Sequence, residues 1–420
     1  MKRLFIISYL FLVGLLSSCT NDDCILTCQQ GFTLDERTCE CVEDNAPTDI
    51  ISKAGIINAD ETWSSSQIYK LIGKVVVESG VTLTIEPGTI IKGEEGTGSL
   101  ASALIIARGG RIQACGTSDD PIIMTSVLDN IEVGQQVGSN LDETQTGLWG
   151  GLIVLGNAPS SFEGDVSEFQ IEGIPADDTF GLYGGNDAND SSGSLCYISI
   201  RHGGASIGEN NEINGLTLGG VGQGTQVNHI EVVANLDDGI EFFGGTVNVS
   251  NTIVWAQGDD AYDVDQGYSG TLDNFVFIAG ADSDHGLEID GLEGSTGSGF
   301  NFRNGTLKGL TAEIADFRDG AMGSLENITC FNFNEEGDLE IDDDASSGNF
   351  FNQDLQITGW QFVSDLTVSV ICNDNSPNGD DDAFDQMMEL NNSTVNILTG
   401  GANTAVFSWT YTAHKDAMDF

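Results

Sequence analysis

The sequence predicts an all-β chain wound into a parallel β-helix, and three observations carry that prediction. Short runs rich in Val, Ile and Phe are bounded by Gly, Asn or Asp, and no window keeps a helical period over three turns. The 54 glycines against six prolines give many tight corners and few breaks in a hydrogen-bonded ladder. An acidic motif also recurs, as Asp237-Asp238-Gly239-Ile240-Glu241, Asp259-Asp260-Ala261-Tyr262-Asp263-Val264-Asp265 and Asp282-Ser283-Asp284-His285-Gly286-Leu287-Glu288-Ile289-Asp290. Asp238 to Asp260 is 22 residues and Asp260 to Asp284 is 24. A period in the low twenties suits a coil of three short strands and three turns.

From the N-terminus, Lys2-Arg3 precedes the apolar run Leu4–Leu16 and then Leu16-Ser17-Ser18-Cys19. This resembles a bacterial lipoprotein signal over residues 1–18, with Cys19 as the lipidated first residue of the mature chain. Several acyl chains on one terminus anchor stably where a single chain is marginal. Asp22-Asp23 resembles the acidic export tag that places lipoproteins on the outer face of the outer membrane. Residues 19–45 then form a tether holding Cys24, Cys28, Cys39 and Cys41, whose spacing looks like the distal part of an EGF-like module. In an oxidising compartment these four predict two disulfides; a zinc site of four thiolates is the alternative. Cys115, Cys196, Cys330 and Cys372 are scattered, and spacing does not pair them.

Residues 46–420 hold the coils. The strand-like runs are Gly73–Glu78, Val81–Ile85, Ile90–Lys92, Ala103–Ala107, Ile112–Ala114, Ile122–Thr125, Leu152–Leu155, Tyr197–Ile200, Ile230–Val233, Ile253–Trp255, Phe275–Ile278, Ile328–Phe331 and Leu366–Ile371. Ile240/Phe242, Tyr262/Val264 and Leu287/Ile289 alternate with acidic neighbours, so the apolar set would face inward and the carboxylates outward. Trp149, Trp255, Tyr262 and Tyr268 would either fill the coil or stack on sugar rings. Residues about 50–80 and Trp409–Phe420 are the expected covers for the open ends.

Formal charge is −51, which argues against nucleic acid and anionic lipid surfaces as partners. Stacked coils would bring like carboxylates to about 4.8 Å. At that distance two charges repel by about 0.9 kcal/mol in bulk water and roughly 3.5 kcal/mol at an effective dielectric of 20. No Lys or Arg lies between Arg201 and Arg303 to offset this. Ca²⁺, which takes six to eight oxygens, is therefore the expected cofactor. Its expected ligands are Asp237, Asp238, Glu241, Asp259, Asp260, Asp263, Asp265, Asp284, Glu288 and Asp290, and Glu335–Asp344 and Asp380-Asp381-Asp382 extend the acidic supply.

Pro87-Gly88-Thr89-Ile90-Ile91-Lys92-Gly93, Ala103-Leu104-Ile105-Ile106-Ala107-Arg108-Gly109-Gly110, Leu148-Trp149-Gly150-Gly151, Asn211–Gly222 and Asp237–Gly245 resemble a family of Bacteroidota outer-membrane lipoproteins and secreted proteins. The resemblance covers roughly residues 70–300 and implies a right-handed parallel β-helix, with no catalytic residues to carry over. It does not include the cysteine-rich segment.

The leading expectation is a non-enzymatic, surface-exposed, lipid-anchored scaffold. It would bind an outer-membrane protein partner or a glycan, as an accessory of an import, export or assembly complex. The missing basic residues count against polysaccharide lyase chemistry. The alternatives are a glycoside hydrolase using paired carboxylates such as Asp238 and Asp260, and a surface adhesin.

Overall fold

The computed structural model describes residues 32–35, 40–43 and 50–420, apart from 175–177, 208–212 and 335–336. The expected signal, Cys19, Cys24, Cys28 and Cys39 lie outside the described residues. Of the first unit, strands Phe32–Asp35 and Glu40–Glu43 pair antiparallel, and Cys41 is disulfide-bonded. The second unit is Asp49–Phe420.

That unit is a right-handed parallel β-helix: 25 strands join in one hydrogen-bonded system, and its pairings are parallel. Each coil contributes a strand to three sheets. The third sheet runs through Ala103–Ile106, Leu152–Leu155, Leu216–Gly219, Ile240–Phe243, Tyr262–Asp265, His285–Asp290, Glu313–Arg318, Leu339–Ile341 and Cys372–Asp374. The first and second sheets share long strands such as Asn248–Trp255 and Thr271–Ile278, bent in the middle. At that bend Tyr197, His229, Asn251, Asn274, Asn304 and Asn327 are left-handed, with φ between 50° and 63°. Asn tolerates this conformation best among residues bearing a side chain. Its amide also stacks: Asn274 Nδ2 donates to Asn251 Oδ1, and Asn327 Nδ2 to Asn304 Oδ1, both at 2.7 Å.

The expected alternation holds. Ile240, Tyr262, Leu287, Phe242, Val264 and Ile289 are buried in the interior stack. Trp149, Tyr262 and Tyr268 are core residues rather than sugar platforms. Cys115 and Cys196, which lie in register on neighbouring coils, form a disulfide, whereas Cys330 and Cys372 are free and buried.

The ends differ from expectation. Residues 50–77 are themselves coil strands, Ile50–Ile57, Glu61–Trp63 and Ile68–Val77. At the other end three helices, α1 (Asp344–Asn352), α2 (Val368–Ile371) and α3 (Asp381–Asn391), bury Phe350, Ile371, Phe384 and Met388 against the core. The run Leu366–Ile371, read as a strand, thus contains a helical turn. Two acidic runs find their reason here. Asp343 accepts from the backbone N–H groups of Ala345 and Ser346, and Asp380 from that of Ala383, so both cap helix starts. Trp409–Phe420 covers no end. It lies along the second sheet, where Tyr411 packs with Val233, Ile253 and Trp255, and buried Glu231 accepts from the N–H groups of Tyr411 and Thr412 at 3.0 and 2.8 Å.

Candidate functional site

The recurring acidic motif divides into two structural roles. Its leading aspartates sit in the turn from the second sheet to the third. Asp238 Oδ1 accepts from the Asp260 N–H at 3.0 Å, and Asp260 Oδ1 accepts from the His285 N–H at 2.7 Å. Each carboxylate thereby satisfies a backbone donor of the next coil, which explains the recurrence. Both are buried, at 7% and 1% exposure, so neither offers a free face to a polymer. The following Gly239 is there for space: a Cβ would come within 2.6 Å of the Ala261 carbonyl and 2.4 Å of Val254.

The trailing carboxylates form the site. Glu241, Asp263, Glu288, Asp316 and Glu340 occupy the same outward position of five successive strands and pair in register. A second outward row carries Asp265, Asp290, Arg318 and Asp342. Burial and mutual repulsion raise Glu241, Asp263, Asp265, Asp290, Asp316 and Glu340 above the ordinary carboxylate range. Glu241 and Asp263 are raised well above it by burial and, after that, by Asp263 and Asp265 respectively. Burial with Glu293 lifts Asp265 to about 7, burial with Asp265 lifts Asp290 to about 8, and burial with Asp342 lifts Asp316 to about 6 and Glu340 to about 7.

Two basic groups stand among them, although the sequence places no Lys or Arg between Arg201 and Arg303. Arg318 reaches across the rows to Glu288, to Asp290 at 2.8 Å and to Asp316 at 3.6 Å. His285 donates from Nδ1 to Asp260 at 2.8 Å and places Nε2 3.3 Å from Glu313. Burial opposes its charge, but the hydrogen bond and charge of Asp260, with Asp284 and Glu313, lift it to about 9.

Of the expected cation ligands, three sets come together. Asp237, Asp238 and Asp259 present oxygens within 4.8 Å of one another, as do Asp238, Glu241 and Asp263. Asp260 and Asp284 converge on His285, which already supplies the positive charge there. Glu288 is engaged by Arg318, while Asp265 and Asp290 line a separate cavity of about 550 Å³ with Glu163, Glu293, Asp319 and Asp343. A further set joins Glu340 and Asp342, from the expected acidic run Glu335–Asp344, to Asp316, which was not expected. Asp316 is buried, and its Oδ1 has no hydrogen-bond partner. The inward Ala315/Phe317 alternation was the available signal for this coil. It lacked the leading Asp-Asp pair that had marked the others.

The all-oxygen sets fit Ca²⁺, a hard cation that takes carboxylates, better than a softer metal. Paired carboxyl groups with raised proton affinity, set beside exposed carboxylates, are also the arrangement that acid–base cleavage of a glycosidic bond requires.

No curated relative matches the chain in sequence. Among solved structures, a pectin methylesterase from Aspergillus niger aligns at 12% identity over 79% of this chain and 87% of that one, with a TM-score of 0.29. A likeness of that size says nothing about activity. A family model described as a pectate-lyase like beta helix domain matches residues 55–413. That match overturns the expectation of a non-enzymatic scaffold. The physical ground for the expectation also fails, because coiling brings Arg318 and His285 onto a face that looked devoid of basic groups. The chain belongs to the pectate-lyase-like β-helix family.

Proposed function

We propose that the chain is a glycan-cleaving enzyme whose working face is the outer side of the third sheet between Glu241 and Asp342. The observation that carries this reading is the cavity in which half-buried Asp265 and Asp290 face exposed Glu293 and Asp319, with Arg318 fixing Asp290. Asp265, at about 7, is the general acid that protonates the leaving oxygen. Glu293 or Asp319 is the base or nucleophile on the opposite side of the sugar ring. Asp238 and Asp260, the earlier candidates, cap backbone and are assigned no chemical step.

Ca²⁺ is the proposed cofactor, held by Asp238, Glu241 and Asp263 and by Asp316, Glu340 and Asp342. Bound there, it would supply positive charge that offsets carboxylate repulsion and draws an anionic sugar to the face. We also propose anchoring through a lipidated Cys19 at the outer membrane, facing outward, beside an outer-membrane protein partner. Loss of membrane association in Cys19→Ala tests the anchor.

The test of function is reducing-sugar release from a panel of neutral and acidic polysaccharides. We expect release from at least one, reduced by at least about 100-fold in Asp265→Asn. No release from any member, or full activity in that variant, would sink the reading.

A further inference from the structure

The C-terminal segment 399–420 runs back along the second sheet as a strap. Thr399 Oγ1 donates to Gln361 Oε1 at 2.6 Å, the Ala402 N–H to Thr306 Oγ1 at 2.8 Å and the Asn403 N–H to Asn274 Oδ1 at 2.6 Å, each partner on an earlier coil than the last. Phe407 and Tyr411 then pack on Val233, Ile253, Trp255 and Val276, an apolar strip of that sheet. At Tyr411 three elements meet. They are the strap, the end of strand Gly193–Arg201 with His202, and the loop between Ile122–Ser126 and Leu152–Leu155.

His202 is 1% exposed at this junction, and its ring meets that of Tyr411 edge-on at 6.5 Å. Its Nδ1 lies 2.7 Å from the Gln145 carbonyl of the loop, which can only accept, so Nδ1 carries the hydrogen and Nε2 is a bare acceptor. Nε2 is buried and has no hydrogen-bond partner. Arg201, equally buried, donates from Nε to Ser199 at 2.7 Å and from Nη1 to the Gln136 carbonyl at 2.9 Å, with its guanidinium 4.5 Å over the Tyr411 ring. Around His202 the charged groups are thus Arg201 from its own strand and Asp129 and Asp142 from the loop. From the strap, His414 bonds Gln136 at 2.9 Å and Lys415 lies over Tyr411, while Glu231 of the adjoining strand is engaged by the Tyr411 and Thr412 N–H groups. Burial holds the imidazole below its ordinary range; the bond to Gln145 opposes this and Arg201 adds to it. A proton on Nε2 would set a second cation beside a buried guanidinium, with an N–H that finds no acceptor. Because Nε2 is closed to solvent, it takes that proton only when the junction opens.

We infer that His202 is an acid-sensitive latch, whose protonation frees the strap and the loop from the second sheet and uncovers the apolar strip beneath Phe407 and Tyr411. Folding favours the neutral ring, so its hold on the strap is complete above about pH 6.5 and is lost as pH falls below it. The sign is opposite to that of the raised carboxyls on the third sheet, so the readout has to be local.

Hydrogen exchange of the full chain, corrected for intrinsic rates, tests the latch in peptides covering 141–148 and 405–416. These hold the Gly147, Leu148, Tyr411 and Thr412 N–H groups, which bond Gly203, His202 and Glu231. From pH 8 to pH 5 we expect opening there to rise by between about fivefold and thirtyfold, the upper figure being that of an ordinary imidazole titrating only in the open state. Strand Leu216–Gly219 should not show the rise. His202→Asn, which suits the left-handed φ of 61°, should abolish it, whereas His414→Gln and His229→Asn should keep it. A rise below about fivefold in the parent, or one that survives His202→Asn, would overturn the inference, as would its loss in His414→Gln or His229→Asn. Nitrogen-15 spectra of the parent guard against a misfolded His202 variant. They should show a neutral ring with hydrogen on Nδ1 at pH 6, and an imidazolium at His202 in the closed protein would overturn the latch equally. Neither readout involves glycan cleavage.

Discussion

The outer face of the third sheet carries opposite chemistry in its two halves, at one strand position and in one register. Toward the N-terminus the outward residues are Ile105 and Ile153, covered by Phe162, Ile171, Ile174 and Tyr183 from the segment between Leu155 and Gly193. From Glu241 onward the same position is acidic through Glu340. The parallel register runs unbroken across this boundary, while the outward side chains and their cover change. A covered face is a second core, stabilised by apolar burial. The acidic face has to find its compensation in protons, in Arg318 and His285, or in bound ions. That difference sets apart the acidic half, the one proposed to carry the chemistry.

The comparison can be broken most directly by exchanging the two characters. Ile153→Asp buries a carboxylate without a partner and should cost about 4 kcal/mol, seen as a large fall in melting temperature. Asp263→Asn removes one member of a repelling row and should leave the apo protein as stable or more so. If both substitutions shift the melting temperature alike, the halves are not energetically distinct.

Proton and cation linkage comes next in size. The raised carboxyls bind protons in the folded chain at pH values where unfolded Asp and Glu have released them. Stability from this source is therefore full below about pH 4 and is lost as pH rises toward about 8, where Asp290 titrates. His285, raised to about 9, acts in the same direction at still higher pH. In EGTA the melting temperature should fall between pH 5 and pH 8, and millimolar Ca²⁺ should restore it at pH 8 with release of protons. A flat profile, or no response to Ca²⁺ at pH 8, would count against both the protonated row and the cation sites.

Arg318→Met should follow. It removes the guanidinium from Glu288, Asp290 and Asp316, but Arg318 is 42% exposed, so solvent screening limits the effect on stability to about 1 kcal/mol. Glycan cleavage should suffer more than folding, because Asp290 loses the group that positions it. Smallest of all, Asn251→Ala at the left-handed corner should cost about 1 kcal/mol or less through the lost amide bond from Asn274 and the strained φ. It should leave cleavage unchanged; an activity loss there would mean that the acidic face depends on the corner's geometry.

Much of this was legible from residue order. Period, apolar alternation and the Gly-bounded strands are local properties, and they place Ile240, Tyr262 and Leu287 inside without knowledge of any neighbour. The acidic row was partly legible for the same reason: Glu241, Asp263 and Glu288 follow inward residues by one step. It was lost at Asp316, where the intervening loop changes the spacing and the leading aspartates disappear, and Glu340 was legible only as part of the acidic run Glu335–Asp344. The division between capping Asp238 and Asp260 and the outward row could not be read at all, since both look like exposed acids in sequence.

By itself, then, the chain determined its coils, its interior and a repeating surplus of negative charge, because strand periodicity fixes which side chains face in. Only the tertiary structure decided what that surplus does. Stacking turned some aspartates into backbone caps and put others in rows that hold protons. It also brought Arg318 and His285, distant in sequence, into those rows, because register between coils depends on the loops and strand pairing rather than on residue order alone.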